Sequence, residues 1–505
     1  MLARFNLGIV AIMAGIILLA AFVTHQRTDE PVYPRPTGER GPAGLAEFYS
    51  QKLVWKPCAG VICTWVLVPL DYDKPEGETI KLRVKVRPSD SNDPKGRLFI
   101  NPGGPGGSGV DYVNAFAGQT SKDVRSAYEI IGFDPRGVGR SAPLTCLSND
   151  AFGEVIRFDP DPDDQEEAAK LEEGFRSIGK ACVKESGPLA SHVSTAENAR
   201  DLDVLRALVG ERDLDFYGAS YGTQLGATYA DMFPKSVGSM VLDGGVDLTL
   251  SKERQAYGQA LGFERALQSF LENCMREANC PLGKDLEASE NTIVKLLRAL
   301  DSKPIKTSGK RTLTENGAIY GIAFALYDKK AWGVLATGLQ RAAFGDGTLL
   351  LALSDEYFGR KSDGSYRNNG AQAVYAIRCL DYPKAPSRTK IMQSEKSFNE
   401  ASPVFGRVMA WSAAECRDWP VQSTTPQGQV NAEGAPPILI IGSTRDPATP
   451  YAWSRALAGQ LKSGVLVTRK GDGHTGYGVG NRCVDDVVDN YLVAGKTPRE
   501  GVNCG

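Results

Sequence analysis

The chain has 505 residues, 42% hydrophobic and 23% charged, with a net charge of −2. This ordinary globular mix is too long for one simple domain and suits one large domain with an insertion, or two domains. The near-neutral balance gives no basis for a nucleic-acid partner. Only His25, His192 and His474 are available as imidazoles, which leaves little for a histidine-rich metal site.

Arg4 precedes an uncharged run from Leu7 to Val23. The run is short for a membrane span and long for a signal-peptide core, and no clean A-x-A site follows. Residues 1–24 are read as a signal peptide or, with slight preference, an uncleaved signal anchor. The catalytic part is then exported: anchored in the membrane facing outside, or secreted if the segment is cleaved. Residues 25–44, polar and rich in Pro and Gly, read as a linker. Ten cysteines without a C-x-x-C pair favour structural disulfides in an oxidising compartment. Pairing of sequence neighbours is expected: 58–63, 146–182, 274–280, 379–416 and 483–504.

Leu45 to Leu53 reads as a short helix. Thr64 to Val68 is β-branched and aromatic, hence a strand, and Ile80 to Arg87 alternates apolar and basic, a half-buried strand near a sheet edge. The strand Arg97–Ile100 runs into Asn101-Pro102-Gly103-Gly104-Pro105-Gly106-Gly107-Ser108-Gly109. No Gly-Lys-Ser/Thr follows, so this is not a Walker loop, and no dinucleotide fingerprint opens a helix. Backbone N–H groups approaching an oxyanion fit better. The strand Tyr128–Phe133 ends in Asp134-Pro135-Arg136-Gly137-Val138-Gly139-Arg140-Ser141. The acidic tract from Asp159 to Glu167 begins D-x-D-x-D, but Asp164 and Lys170 stand where a calcium loop needs Gly and Glu. A solvated helix start is the better reading.

Thr195 to Val209 has helical spacing. The apolar strand beginning near Asp215 then enters Gly218-Ala219-Ser220-Tyr221-Gly222, and Ser239 to Asp243 is another strand. This alternation implies a parallel sheet with helices on both faces. Residues 45–246 are the first part of the core. Residues 247–430 read as a helical cap, with segments Gln255–Ala278, Leu286–Leu300 and Leu313–Phe344. Residues 431–505 complete the core, with strands at Pro437–Gly442 and Val465–Thr468.

A G-x-S-x-G turn is something chance supplies in a chain with 55 glycines. Its partners give it weight. Asp446 follows the penultimate predicted strand and His474 the last, so Ser220, Asp446 and His474 stand in the chain order of an α/β-hydrolase triad. A serine hydroxyl needs an imidazole to take its proton, and the imidazole needs a carboxylate to hold its tautomer. The backbone N–H groups of Gly104 and Tyr221 are the expected oxyanion donors. Asp243 and Asp472 compete with Asp446. His192, just before a helix cap, reads as structural.

The run 101–109 resembles the HGGPG-type loop of proline iminopeptidases, with Pro102 where their His stands. Residues 134–141, 218–222, 442–450 and 473–474, with Cys379-Leu380-Asp381 and Cys416-Arg417-Asp418-Trp419-Pro420, together resemble the secreted tripeptidyl aminopeptidases of actinobacteria. The resemblance covers residue 45 to the end. It implies an α/β-hydrolase fold, a mostly parallel sheet with an inserted helical cap, releasing short peptides from free N-termini. A cap carboxylate, Asp381 among the candidates, would then meet the substrate's α-ammonium. Relatives with this scaffold are also described as carboxylesterases. The alternatives carried forward are therefore an exported serine exopeptidase, an esterase or lipase with the same triad, and a non-catalytic binding protein. The expected partner is a peptide or ester substrate. No metal, organic cofactor or obligate protein partner is implied.

Overall fold

A computed structural model describes residues 34–277, 280–422, 427–499 and 501–505. The expected signal or anchor segment lies outside these residues. Among the described residues no helix is long and apolar enough to cross a membrane.

The main sheet has ten strands. They are β1 (Lys56–Cys58), β2 (Val61–Pro69), β3 (Thr79–Arg87), β4 (Gly96–Asn101), β5 (Tyr128–Phe133), β6 (Leu214–Ala219), β7 (Val237–Asp243), β10 (Ile438–Arg445), β11 (Gly464–Asp472) and β12 (Val502–Cys504). Their spatial order is β1-β2-β3-β5-β4-β6-β7-β10-β11-β12. The β1–β2, β2–β3 and β3–β5 pairs are antiparallel; every pair from β5 to β12 is parallel. Chain direction reverses its lateral course at β4, so the C-terminal ends of β4 and β6 flank a crevice, the usual ligand position in an open α/β sheet.

The central strands are apolar on both faces because helices cover both. Phe99, Ile131, Phe216, Leu242 and Ile440 pack on one side with Leu202, Leu205 and Leu225. Leu98, Ile100, Tyr217, Val241 and Ile441 pack on the other with Val113, Phe116 and Val488. β3 lies third from one end of the sheet, near the edge as its pattern suggested. It pairs on both sides, and its alternation arises because Lys81, Arg83 and Lys85 keep solvent access on one face while Leu82, Val84 and Val86 are buried.

Between β7 and β10 the chain forms helices Lys252–Arg276, Leu286–Ser302, Glu315–Leu326, Trp332–Ala343, Thr348–Phe358, Gly370–Asp381, Arg388–Ala401 and Gly406–Ser412. A two-stranded hairpin, β8 (Ile305–Lys306) with β9 (Thr312–Leu313), also lies here. These helices bury a core of their own, including Phe263, Leu267, Ile322, Leu335, Leu350 and Phe405. The single helix expected over 313–344 is broken after Leu326, where Asp328 accepts from the Lys330 N–H and starts a new turn. The stretch 149–191, grouped by sequence with the core, packs instead on these helices. Glu172 on helix Gln165–Ser186 pairs with Arg388 and Arg417, and Arg407 pairs with Asp161 and Asp163. All ten cysteines are joined in the five expected neighbour pairs.

Candidate active site

β6 ends at Ala219, and helix Tyr221–Met232 begins two residues later. Ser220 between them has φ 56° and ψ −122°, a conformation that a side chain adopts only under constraint. Its N–H donates to the Asp243 carbonyl at 2.8 Å, which holds the turn to the end of β7. The turn is tight: a Cβ on Gly218 would stand 2.2 Å from the Gly222 oxygen. Such a strand-to-helix elbow lifts the serine hydroxyl out of the backbone.

The loop after β4 is held over this elbow. Asn101 Oδ1 accepts the Gly103 N–H at 2.9 Å, and the Gly103 carbonyl accepts the Gly107 N–H at 3.0 Å. Gly103 lies so close that a Cβ there would be 2.9 Å from Ser220 Cβ and 3.1 Å from Tyr221 N. The next residue, Gly104, donates its N–H to no group among the described residues. Tyr221, first in its helix, has no intrahelical acceptor for its N–H. The far end of the loop is fixed by Asp134. Its carboxylate takes the Ser108 hydroxyl at 2.5 Å and the N–H groups of Val110 and Arg140 at 3.2 and 2.9 Å. Arg136, fully buried, bonds both Asp201 oxygens at 2.7 Å and the carbonyls of Pro69, Leu70 and His192. The 134–141 motif therefore ties the loop to the sheet.

Asp446 and His474 meet at the ends of β10 and β11. His474 Nδ1 is 2.9 Å from both Asp446 oxygens. The same carboxylate accepts the N–H groups of Ala448 and Thr449 at 2.9 Å and of Thr475 at 3.3 Å, so its orientation is set before the imidazole arrives. The His474 N–H donates to the Tyr327 carbonyl at 2.9 Å. Nε2 is buried with no hydrogen-bond partner among the described residues. Burial opposes the imidazolium, but the Asp446 charge and hydrogen bond outweigh it and hold the His474 pKa above its usual 6.5.

The competing acids have other partners. Asp243 is fully buried and accepts the N–H groups of Gly476 and Tyr477 at 2.8 and 2.9 Å and the Tyr217 hydroxyl at 2.9 Å. It anchors the loop that follows His474, and burial raises its pKa to about 6. Asp472 pairs with Arg445 and accepts the Ser269 hydroxyl at 2.6 Å. His192 pairs with Glu197 at 2.8 Å. Asp381, one of the candidates for meeting the substrate, is buried and engaged. It accepts from Thr195 N and Oγ1 at 2.9 and 2.6 Å and from Gln224 Nε2 at 2.9 Å, and burial raises it to about 7.

In the acidic tract, Asp164 caps its helix by accepting from Glu166 and Glu167 N–H groups. Asp159 gathers with Asp301 and Glu315, their oxygens within 4.8 Å of one another. Burial and the nearby Asp161 charge push the Glu315 carboxyl well above the usual carboxylate range.

Tyr327 was not visible as a site residue in the sequence. Besides its carbonyl bond, its ring stands edge-on to the imidazole with centroids 5.3 Å apart. The only local signal was the polar Asp328-Lys329-Lys330 interruption of a helical run. Two further cavities lie apart from the Ser220 turn. One of about 400 Å³ is a polar groove behind the histidine loop, lined by Arg276, Lys329, Arg445 and Asp472 among others. One of about 50 Å³ lies among aromatics including Tyr320, Phe358 and Tyr375.

This sheet order, with a strained serine elbow after β6 and a carboxylate–imidazole pair after β10 and β11, defines the α/β-hydrolase class. Comparison with known proteins narrows it. Residues 402–504 match the family described as TAP-like protein. The serine protease Hip1 of Mycobacterium tuberculosis is 35% identical over 487 residues, covering 92% of this chain and 93% of that protein. Carboxylesterase B of the same organism is 35% identical over 451 residues, covering 88% and 86%. The tripeptidyl aminopeptidase of Streptomyces lividans is 31% identical over 473 residues, covering 89% and 86%. The chain belongs to this family of TAP-like α/β-hydrolases, and it is a serine hydrolase.

Proposed function

We propose that the protein is an exported serine exopeptidase that releases short peptides, tripeptides in the leading case, from free N-termini. The observation that carries this reading is the Asp446–His474 pair. Asp446 occupies Nδ1 and leaves Nε2 without a partner among the described residues, so in this reading Nε2 is the basic nitrogen. In the proposed mechanism Nε2 takes the Ser220 proton as the hydroxyl attacks the scissile carbonyl. The N–H groups of Gly104 and Tyr221 receive the oxyanion, each worth about 3–4 kcal/mol of barrier. His474, now charged beside Asp446, protonates the leaving amine, and water then cleaves the acyl-enzyme by the same steps in reverse. The helices between β7 and β10, with the 149–191 excursion, act as the cap that selects the substrate.

Export is supported by the five disulfides, which persist in oxidising compartments. Membrane anchoring through residues 1–24 is part of the proposal. Fractionation would test it: a soluble mature protein beginning after residue 21–30 would remove the anchor. A second reading, carboxylesterase, is supported by the 35% identity to Carboxylesterase B. The amide-or-ester choice is tested with free and N-blocked tripeptidyl anilides against short-chain esters, on wild type and Ser220→Ala. Cleavage of free tripeptidyl anilides that vanishes in the variant is the expected result. Hydrolysis of esters alone, or of N-blocked peptides alone, would overturn the exopeptidase.

A further inference from the structure

The wall of the cap above the elbow carries a cation without a full partner. Arg378 lies on helix Gly370–Asp381. That helix begins against the glycine loop, where the Gly106 and Gly370 backbones touch closely enough to exclude a Cβ on either. It ends at Asp381, whose carboxylate reaches Thr195, and Thr195 Oγ1 bonds the Tyr221 hydroxyl at 2.7 Å. The helix therefore spans the elbow from the oxyanion loop to the start of the nucleophile helix. On the opposite side Tyr327 packs on His474 and lies within electrostatic reach of both Asp446 and Arg378.

The charges around Arg378 do not balance. Its nearest acid, Glu415, is 3.9 Å away. Glu415 is already committed to Lys252 at 2.6 Å, with both partners buried. Asp381 lies behind, held by Thr195 and Gln224. Lys252 and Arg378 thus share Glu415 as their one ion-pair partner. The Arg378 side chain donates no hydrogen bond to any described residue, although a guanidinium offers five donors. It keeps 35% of its accessible surface. Yet the protein around it desolvates it strongly enough to oppose its charge, and the Glu415 carboxylate is the main group that favours it. Accessible surface combined with desolvation describes a group lining a cleft rather than one facing bulk water. Tyr357, beside it, likewise stays 38% exposed.

We propose that Arg378 is a specificity-determining residue that receives a carboxylate of the substrate, so that the enzyme prefers acyl groups or peptides bearing one. A planar guanidinium with free donors matches a carboxylate bidentately. The carboxylate comes from an acidic side chain or from a peptide C-terminus. The inference rests on the hydrolase reading of the site, not on its amide preference.

Three matched sets of substrates test it. Free tripeptidyl coumarylamides with Glu or Gln at each position probe the side chain. Short peptides with a free or amidated C-terminus probe the terminus. The 4-nitrophenyl hemiester of glutarate against the valerate ester probes an acyl carboxylate without any peptide. Wild type should favour the charged member of at least one pair by about tenfold in kcat/KM. Arg378→Gln should abolish that preference while leaving the neutral member near its wild-type rate, and Arg378→Lys should restore part of it. Equal rates for both members of every pair in wild type would overturn the inference, whatever the variants do. So would an Arg378→Gln variant that loses both members equally, since Arg378 would then only support Glu415. If no amide is cleaved but the hemiester preference stands, the exopeptidase reading fails and this inference survives. If amides are cleaved without charge preference, the reverse holds.

Discussion

His474 is positioned from the helical insertion as well as from the sheet: its N–H donates to the Tyr327 carbonyl at 2.9 Å while the Tyr327 ring stands edge-on to the imidazole. Tyr327 closes the helix Glu315–Leu326, so packing among the inserted helices sets where the imidazole stands. Tyr327→Ala should lower kcat by about tenfold, because small displacements of a reacting group are costly. Tyr327→Phe, which keeps the ring and the carbonyl, should stay within about twofold of wild type. Steady-state kinetics on both variants checks this.

The Asp446 carboxylate fixes which nitrogen of His474 is free. Asp446→Asn leaves a shape that fits but offers an N–H where Nδ1–H must be accepted. We expect kcat to fall by about 10⁴-fold with the melting temperature little changed. Loss of the fold instead would show that the bonds from Ala448, Thr449 and Thr475 dominate.

In the proposed mechanism His474 is the base, and its raised pKa then sets the acid limb of activity. The base must be neutral, so kcat/KM should fall as pH drops through a value above 6.5. The stability linkage has its own sign. Pairing with Asp446 stabilises the fold fully below 6.5, and that contribution is lost as pH rises through the shifted value. A pH–rate profile centred at or below 6.5 would contradict the pairing.

Gly103 tests the fit of the loop on the elbow. Its φ is 91°, and a Cβ would stand 2.4 Å from the Ala219 oxygen. Gly103→Ala should cost about 2 kcal/mol in stability from backbone strain. It should also remove most activity, since the loop must move away from the Ser220–Tyr221 peptide. Chemical denaturation and kinetics on the same sample separate the two effects.

The Cys379–Cys416 disulfide closes a separation of 37 residues and ties the Arg378 helix to the segment carrying Glu415. Replacing both cysteines with serine should cost about 3 kcal/mol, measured by chemical denaturation.

Much of the fold was legible because its signals are local. The strands leading to the glycine loop, the serine elbow and the two C-terminal turns are apolar runs of the length that a doubly covered parallel sheet needs. The fold class and the neighbour pairing of cysteines could be read for that reason. So could the residues worth testing: Ser220, Gly104, Tyr221, Asp446 and His474 each sit in a short run with an unusual demand on the backbone or on charge.

What the one-dimensional pattern left open is decided by contacts between distant segments. Which aspartate meets His474 depends on the adjacency of β10 and β11, while Asp243 is diverted by the N–H groups of Gly476 and Tyr477. Alternation marked β3 as half-buried, but its two neighbours, β2 and β5, are fixed by contacts between segments. Asp381 looked available for substrate until Thr195 and Gln224, 186 and 157 residues away, claimed it. Arg378 has no local mark at all, and Tyr327 only the polar Asp328-Lys329-Lys330 interruption that follows it. Hydrogen bonding, desolvation and charge balance depend on distance through space, and sequence spacing reports that distance only within an element. The sequence determined the elements and the chemistry offered at their ends; only the tertiary structure decided which side chains are spent on one another and which remain free to act.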